Sequence, residues 1–152
     1  MNRKTDADII EDLLNKDYRI IDILPGRVDE KNAGRYFAAE KYFLKEENLK
    51  QIRKSFAHLL IKLNCYFDMK VSFDNSDIFQ TDIEPELLAS KIIDLPLNGF
   101  FRVLADKDHI MIDLDGSDTW MTVYGADEDM ARLIKTLARS EGLFLWTPET
   151  QS

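Results

Sequence analysis

The chain has 152 residues, of which 45% are hydrophobic and 32% are charged, and its net charge is −8 at pH 7. These values fit one globular domain with its own hydrophobic core, so we expect residues 1–152 to form a single domain. No stretch reaches the roughly 20 apolar residues of a membrane span, no apolar signal-peptide core precedes the domain, and the negative charge argues against nucleic-acid binding.

The N-terminal third predicts a helix, a strand and a loop. Apolar side chains at helical spacing predict a short amphipathic helix over residues 6–15. The β-branched run at 18–24 predicts a strand, which Pro25-Gly26 ends as a turn. A polar loop follows. Residues 35–44 suit either a strand or a helix, and we favour a short extended piece leading into the next helix.

Residues 46–64 contain the longest periodic stretch of the chain. Its apolar side chains recur at steps of three and four residues, which places them on one face of a helix: Leu49, Ile52, Phe56, Leu59 and Leu63. We expect this helix to be the centre of the fold, with the later strands packed on it.

The remaining elements are mainly strands. Alternating polarity and turn residues predict strands at 66–73, 100–105, 109–114, 119–124 and 143–146, and helices at 85–94 and 127–140. The predicted fold is therefore α+β, a single domain. It has a mainly antiparallel sheet with a three-strand meander (100–124), packed on a long central helix (46–64) and a C-terminal helix (127–140).

Charge is divided unevenly along the chain. Residues 1–70 hold 14 Lys and Arg against 12 Asp and Glu, whereas residues 71–152 hold 6 against 16. One interpretation is that the two halves complement each other within the fold. The other is that an acidic C-terminal half is offered to a partner protein with a charged surface.

Four basic residues recur every four positions on the predicted central helix, opposite its apolar stripe: Lys50, Lys54, His58 and Lys62, which we call the basic ridge. Arg53 adjoins them. Charged stripes opposite a core are usual solvated faces, and the alternative is a docking site for an acidic surface. In the same hypothesis, Asp127 and Asp129 at the start of the last helix contact the partner.

Residues 110–117, IMIDLDGS, resemble the first motif of haloacid dehalogenase-like phosphatases. The resemblance implies Asp113 as nucleophile and Asp115 as acid/base. That family needs a parallel strand here and a lysine and further acids far downstream, and only 35 residues follow Ser117. The alternation of Asp113 with apolar neighbours indicates a hairpin strand instead.

No metal site or cofactor is expected. A calcium loop counted from Asp113 would need a carboxylate at its twelfth position, where Tyr124 stands. The two histidines and the single cysteine, Cys65, lack zinc-ligand spacing. We interpret Cys65 as a small buried residue, and the two tryptophans, Trp120 and Trp146, as core residues.

Three segments resemble a group of small uncharacterised cytosolic proteins of Gram-positive bacteria: RIIDILPGRV at 19–28, SFAHLLIKLNCYF at 55–67 and EGLFLWTPE at 141–149. No activity is established for that group. The resemblance implies a cytoplasmic bacterial protein of this size and assigns no catalytic residue.

Three classes of function remain open. The first is a non-enzymatic interaction or regulatory module, in its most concrete form antitoxin- or immunity-like. The second is a hydrolase that uses Asp113 and Asp115, and the third is a small-molecule binding module. A clustered acidic face without a pocket would favour the first class. A concave site with converging aspartates would favour the second, and an apolar cavity the third.

Overall fold

The computed structural model describes residues 4–74 and 76–148. Within them lie five α-helices: α1 (Asp6–Leu14), α2 (Ala33–Phe43), α3 (Glu46–Leu63), α4 (Pro85–Ile93) and α5 (Glu128–Ser140). The strands are β1 (Tyr18–Asp22), β2 (Met69–Phe73), β3 (Gln80–Thr81), β4 (Phe100–Ala105), β5 (Ile110–Asp115), β6 (Trp120–Tyr124) and β7 (Phe144–Trp146). They form one open sheet in the order β3-β2-β4-β5-β6-β1-β7, and all neighbours are antiparallel. The predicted α+β class is confirmed.

The main core lies between the inner face of the sheet and the helices α3, α4 and α5. Val71, Val103, Ile112 and Val123 stand in register across four adjacent strands, and each is at most 1% exposed. The apolar stripe predicted for α3 packs into the same core, where Phe56, for example, is fully buried. Burial of this continuous apolar layer is the main source of stability in such a fold.

The outer face of the sheet is covered in two separate places. Under α1, Leu13 packs with Leu104 and Met111 in a second, small apolar cluster. The Thr5 hydroxyl caps this helix by accepting a hydrogen bond from the Asp8 amide at 3.2 Å. In return, the Asp8 carboxylate accepts a hydrogen bond from the Thr5 amide. At the other end, the segment between β1 and α2 crosses the outer face of β1, β6 and β7.

The extended piece predicted at 35–44 is wrong, because these residues lie within or directly after α2. A short 3₁₀ turn (Glu30–Asn32) leads straight into this helix. The Tyr36 hydroxyl donates to Glu40 Oε2, one turn further on, at 3.2 Å. No described residue of α2 is fully buried. The helix therefore lacks the apolar stripe that distinguishes a helix from a strand in a sequence.

Two finer predictions, the role of the meander and the burial of Cys65, are not confirmed. The three-strand meander packed on one central helix is not confirmed as the organising unit, because β4, β5 and β6 are the middle of a wider sheet and the most extensive contacts of α3 are with α4. Cys65 is exposed, so its interpretation as a buried residue is wrong. Gly142 follows the last helix with a left-handed φ of 74°, a conformation that glycine adopts readily at the end of a helix. Of the helices described, none combines the length and apolarity that crossing a membrane requires.

Candidate functional site

A cavity of about 430 Å³ lies between the outer face of the sheet and the segment that joins β1 to α2. Its walls are mostly apolar and include five aromatic side chains. The residues that line it are Tyr18, Ile20, Asp22, Leu24, Gly26, Arg27, Val28, Glu30, Ala33, Tyr36, Phe37, Trp120, Trp146 and Pro148. Its volume falls within the range of about 300–1,000 Å³ that is typical of small-molecule sites.

The order of the strands brings the aromatic walls together. β1 lies between β6 and β7, so that Asp22 stands opposite Trp120 on one side while Ile20 stands opposite Trp146 on the other. Side chains alternate along a strand, and Tyr18 therefore shares the outer face with Ile20 and Asp22. The two tryptophans are half-buried walls of a cavity, and their interpretation as core residues is wrong.

Asp22 supplies a buried carboxylate to this cavity. It is 8% exposed, and its Oδ2 accepts a hydrogen bond from Trp146 Nε1 at 3.3 Å. Burial raises the pKa of Asp22, while hydrogen bonds from the Leu24 and Ile23 amides and from Trp146 oppose the shift. Among the described residues no lysine or arginine forms an ion pair with it.

Two further acidic side chains, Glu40 and Asp118, lie close to the wall formed by Tyr36. Burial is the main reason why the pKa of Tyr36 rises to about 12, and the charges of Glu40, Asp22 and Asp118 raise it further. Burial likewise raises the pKa of Asp118 to about 6, with Asp115 and Glu40 adding to the shift and Arg53 opposing it. The electrostatic potential around this wall is therefore negative.

Arg53 belongs to the interior and not to the basic ridge. It is 1% exposed, and its guanidinium donates to the carbonyl oxygens of Ile92 at 3.2 Å, Leu95 at 3.3 Å and Gly116 at 2.6 Å. These bonds tie the end of α4 to the turn between β5 and β6. Burial lowers the pKa of Arg53, and the charges of Asp115 and Asp118 oppose that shift.

The basic ridge is on the surface of α3, but half of it is engaged by α5. Glu141, which follows α5, lies 2.7 Å from Lys62 Nζ and 3.5 Å from His58 Nδ1. Lys50 pairs with Glu46 one turn earlier, at 3.6 Å, and Lys54 is exposed. The ridge therefore divides into an exposed half and a half that joins two helices.

Asp127 and Asp129 have hydrogen-bond or ion-pair partners within α5 itself. Asp127 is the N-cap of α5 and accepts from the Met130 amide at 2.8 Å, whereas Asp129 pairs with Arg132. Glu141, which contacts the ridge, stands at the opposite end of this 13-residue helix, a distance of about 20 Å at 1.5 Å per residue. The two aspartates thus lie at the opposite end of α5 from the residue that binds His58 and Lys62.

The aspartates of the phosphatase-like motif have structural partners. Arg102 binds Asp113 through two hydrogen bonds, at 2.7 Å and 2.8 Å, across β4 and β5. Asp115 accepts from the amide and the hydroxyl of Ser117, at 2.9 Å and 2.6 Å, and these bonds lower its pKa. Such contacts are those of a paired strand and a hairpin turn, and they give the hydrolase hypothesis no support.

Within the described residues, no group of three or more His, Cys, Asp or Glu side chains is arranged to hold a metal ion. Comparison of the chain with protein-family models, curated proteins and solved structures found no match. The resemblance to small Gram-positive proteins is not tested by that outcome and stays a prediction. Functional inference therefore depends on the geometry of the cavity.

Proposed function

We propose that this protein is a small-molecule binding module and that the cavity beside β1 is its binding site. The single observation that supports this proposal is a cavity of about 430 Å³ whose walls are mostly apolar and aromatic, with one buried carboxylate among them. A few polar groups set among apolar walls are typical of sites that select and orient a small organic ligand.

The composition of the walls favours binding over catalysis. None of the described residues that line the cavity is a Ser, Thr, Cys, His or Lys, so that candidate nucleophiles are restricted to two carboxylates and two tyrosines. The cavity also offers aromatic surface at its mouth, since Phe37 is 61% exposed. Exposed apolar surface beside a cavity is typical of ligand-binding grooves.

The wider setting is part of the proposal. We propose a cytoplasmic location, because the chain has a single cysteine and that cysteine is exposed, which suits a reducing compartment.

A protein partner that binds the charged surface remains a separate prediction. Reversing the charges of Lys50 and Lys54 tests it best, because reversal at Lys62 would also set two negative charges against each other at Glu141.

Fluorescence energy transfer tests the binding function directly. Both tryptophans of the chain line the cavity, so a fluorescent ligand bound there accepts excitation energy from them. N-phenyl-1-naphthylamine is an uncharged aromatic probe that emits strongly only out of water. We expect its tryptophan-excited emission to saturate in the micromolar range.

A pair of matched variants on α2 ties that signal to the cavity. Ala33 lines the cavity, whereas Ala38 is exposed on the same helix and does not line it. Ala33→Phe should fill the space and weaken probe binding about tenfold or more, and Ala38→Phe should leave it unchanged. Absence of saturable binding, or equal binding by the two variants, would show that the cavity is not a ligand site.

A further inference from the structure

The Asp22 carboxylate has no cationic partner among the described residues, and this indicates the charge of the ligand. A buried ionised carboxylate is costly unless a cation or several hydrogen bonds compensate it. Asp22 is 8% exposed, and it accepts hydrogen bonds from the Trp146 indole at 3.3 Å and from the Ile23 and Leu24 amides, but no described lysine or arginine pairs with it. These bonds do not offset its burial, since the pKa of Asp22 is still raised. A positively charged ligand would supply the missing partner.

The aromatic walls favour the same charge. The faces of Trp, Tyr and Phe rings carry negative electrostatic potential and attract cations within about 6 Å of the ring centre. Trp120 stands opposite Asp22 on β6, and Trp146 donates to the Asp22 carboxylate. Tyr18, Tyr36 and Phe37 complete the aromatic lining. A carboxylate among aromatic rings is a favourable environment for a desolvated organic cation.

The charges around the cavity also favour a cation. Its lining contains the carboxylates of Asp22 and Glu30 against the single positive charge of Arg27, which is exposed. Behind the wall, Glu40 accepts the hydrogen bond of Tyr36. The whole chain has a net charge of −8. An anionic ligand would therefore meet repulsion both inside the cavity and on approach.

We propose that the cavity binds an organic ammonium group whose nitrogen is fully alkylated, an inference that rests on the proposed binding function. A primary ammonium is strongly hydrated through its three N–H donors, whereas the walls of this cavity are mostly apolar and aromatic. A quaternary ammonium has no N–H donor. Its alkyl groups contact the aromatic walls while its charge is attracted to the Asp22 carboxylate and the ring faces.

Choline and its uncharged carbon analogue, 3,3-dimethylbutan-1-ol, separate charge from shape. The two molecules have the same shape and differ in whether nitrogen or carbon carries the three methyl groups. Each is titrated against bound N-phenyl-1-naphthylamine. We expect choline to displace the probe at concentrations at least about tenfold lower than the neutral alcohol does.

Two carboxylate variants locate the interaction. Asp22→Asn should remove most of the preference for choline while N-phenyl-1-naphthylamine still binds, which also shows that the cavity remains folded. Glu30→Gln at the exposed rim is the matched control and should change the preference less than about threefold. If wild-type protein binds the probe but treats choline and the alcohol alike, or if Asp22→Asn keeps the preference, the cation proposal is overturned while the binding function stands. If the probe itself does not bind, the binding function fails and the cation proposal fails with it.

Discussion

Asp118 provides a test of the electrostatics around the cavity wall through the pH dependence of stability. Its pKa rises from the ordinary value of 3.8 to about 6, chiefly because of burial. The folded protein therefore binds a proton at this site more tightly than the unfolded chain does. Below about pH 4 both states are protonated and the site has no effect. Between about pH 4 and pH 6 stability falls as pH rises, and the full penalty is present above about pH 6.

The size of that penalty follows from the shift. About two pKa units at about 1.4 kcal/mol each give an upper value of about 3 kcal/mol. Asp118 is only half-buried, so solvent screening reduces the expected penalty to about 1–2 kcal/mol. Asp118→Asn removes the ionisable group and should stabilise the protein by that amount at about pH 7.5, with almost no gain at about pH 4.

Urea denaturation of wild type and variant at both pH values measures this difference. The matched control is Asp17→Asn, at an exposed position between α1 and β1, which should change stability by less than about 0.5 kcal/mol at either pH. A stability difference for Asp118→Asn that is the same at both pH values would refute the reasoning. If Asp118→Asn is less stable than wild type at about pH 7.5, the reasoning is refuted as well.

Three further predictions concern packing and metal binding. Phe56→Ala should cost about 3–5 kcal/mol in chemical denaturation, because Phe56 is fully buried, whereas Lys54→Ala should cost less than about 0.5 kcal/mol. Gly116→Ala should cost about 2 kcal/mol or more, since the new Cβ would lie 1.9 Å from the Pro96 carbonyl oxygen, and Gly26→Ala, with nothing within 4 Å, should be nearly neutral in the same assay. Calorimetric titration with calcium or magnesium should detect no site tighter than millimolar; a micromolar site abolished in Asp113→Asn would contradict this.

The elements whose burial follows a regular period could be predicted from the sequence. The apolar stripe of α3 repeats at three and four residues, and the structure buries it. Burial in β6 alternates because one face packs on the core, whereas in β4 and β5 the outer-face residues Leu104 and Met111 are buried as well, under α1. α2 could not be predicted in this way. Its inner face is only half-buried and includes Tyr36 and Glu40, while the aromatic residues Phe37 and Tyr42 are exposed, so hydrophobicity does not mark that face.

The cavity depends on contacts between distant parts of the chain, and for that reason the sequence did not reveal it. Trp120 and Trp146 lie on different strands. They line the same cavity because β1 pairs with β6 on one side and with β7 on the other. Hydrophobicity alone assigned both tryptophans to the core. One local signal was present, since the acidic residue Asp22 shares one face of β1 with Tyr18 and Ile20.

The buried position of Arg53 could not be predicted from the sequence, for a related reason. Helical spacing puts it beside the basic ridge, and its charge suggested a solvated position. The structure buries it instead, because three backbone carbonyl groups from α4 and the β5–β6 turn converge on its guanidinium. Carbonyl acceptors of this kind are provided by folding and have no signature in residue identity.

The indole N–H signals of Trp120 and Trp146 give the most direct measurement of cation binding in the cavity. These are the only two tryptophans of the chain, and both line the cavity, so a proton–nitrogen NMR spectrum reports on the site through two identifiable signals. Choline should shift both signals saturably, Trp146 most because its N–H is bonded to Asp22, and 3,3-dimethylbutan-1-ol should need about tenfold higher concentration. If choline leaves both indole signals in place, or shifts signals only from the basic ridge, an organic cation does not bind in this cavity.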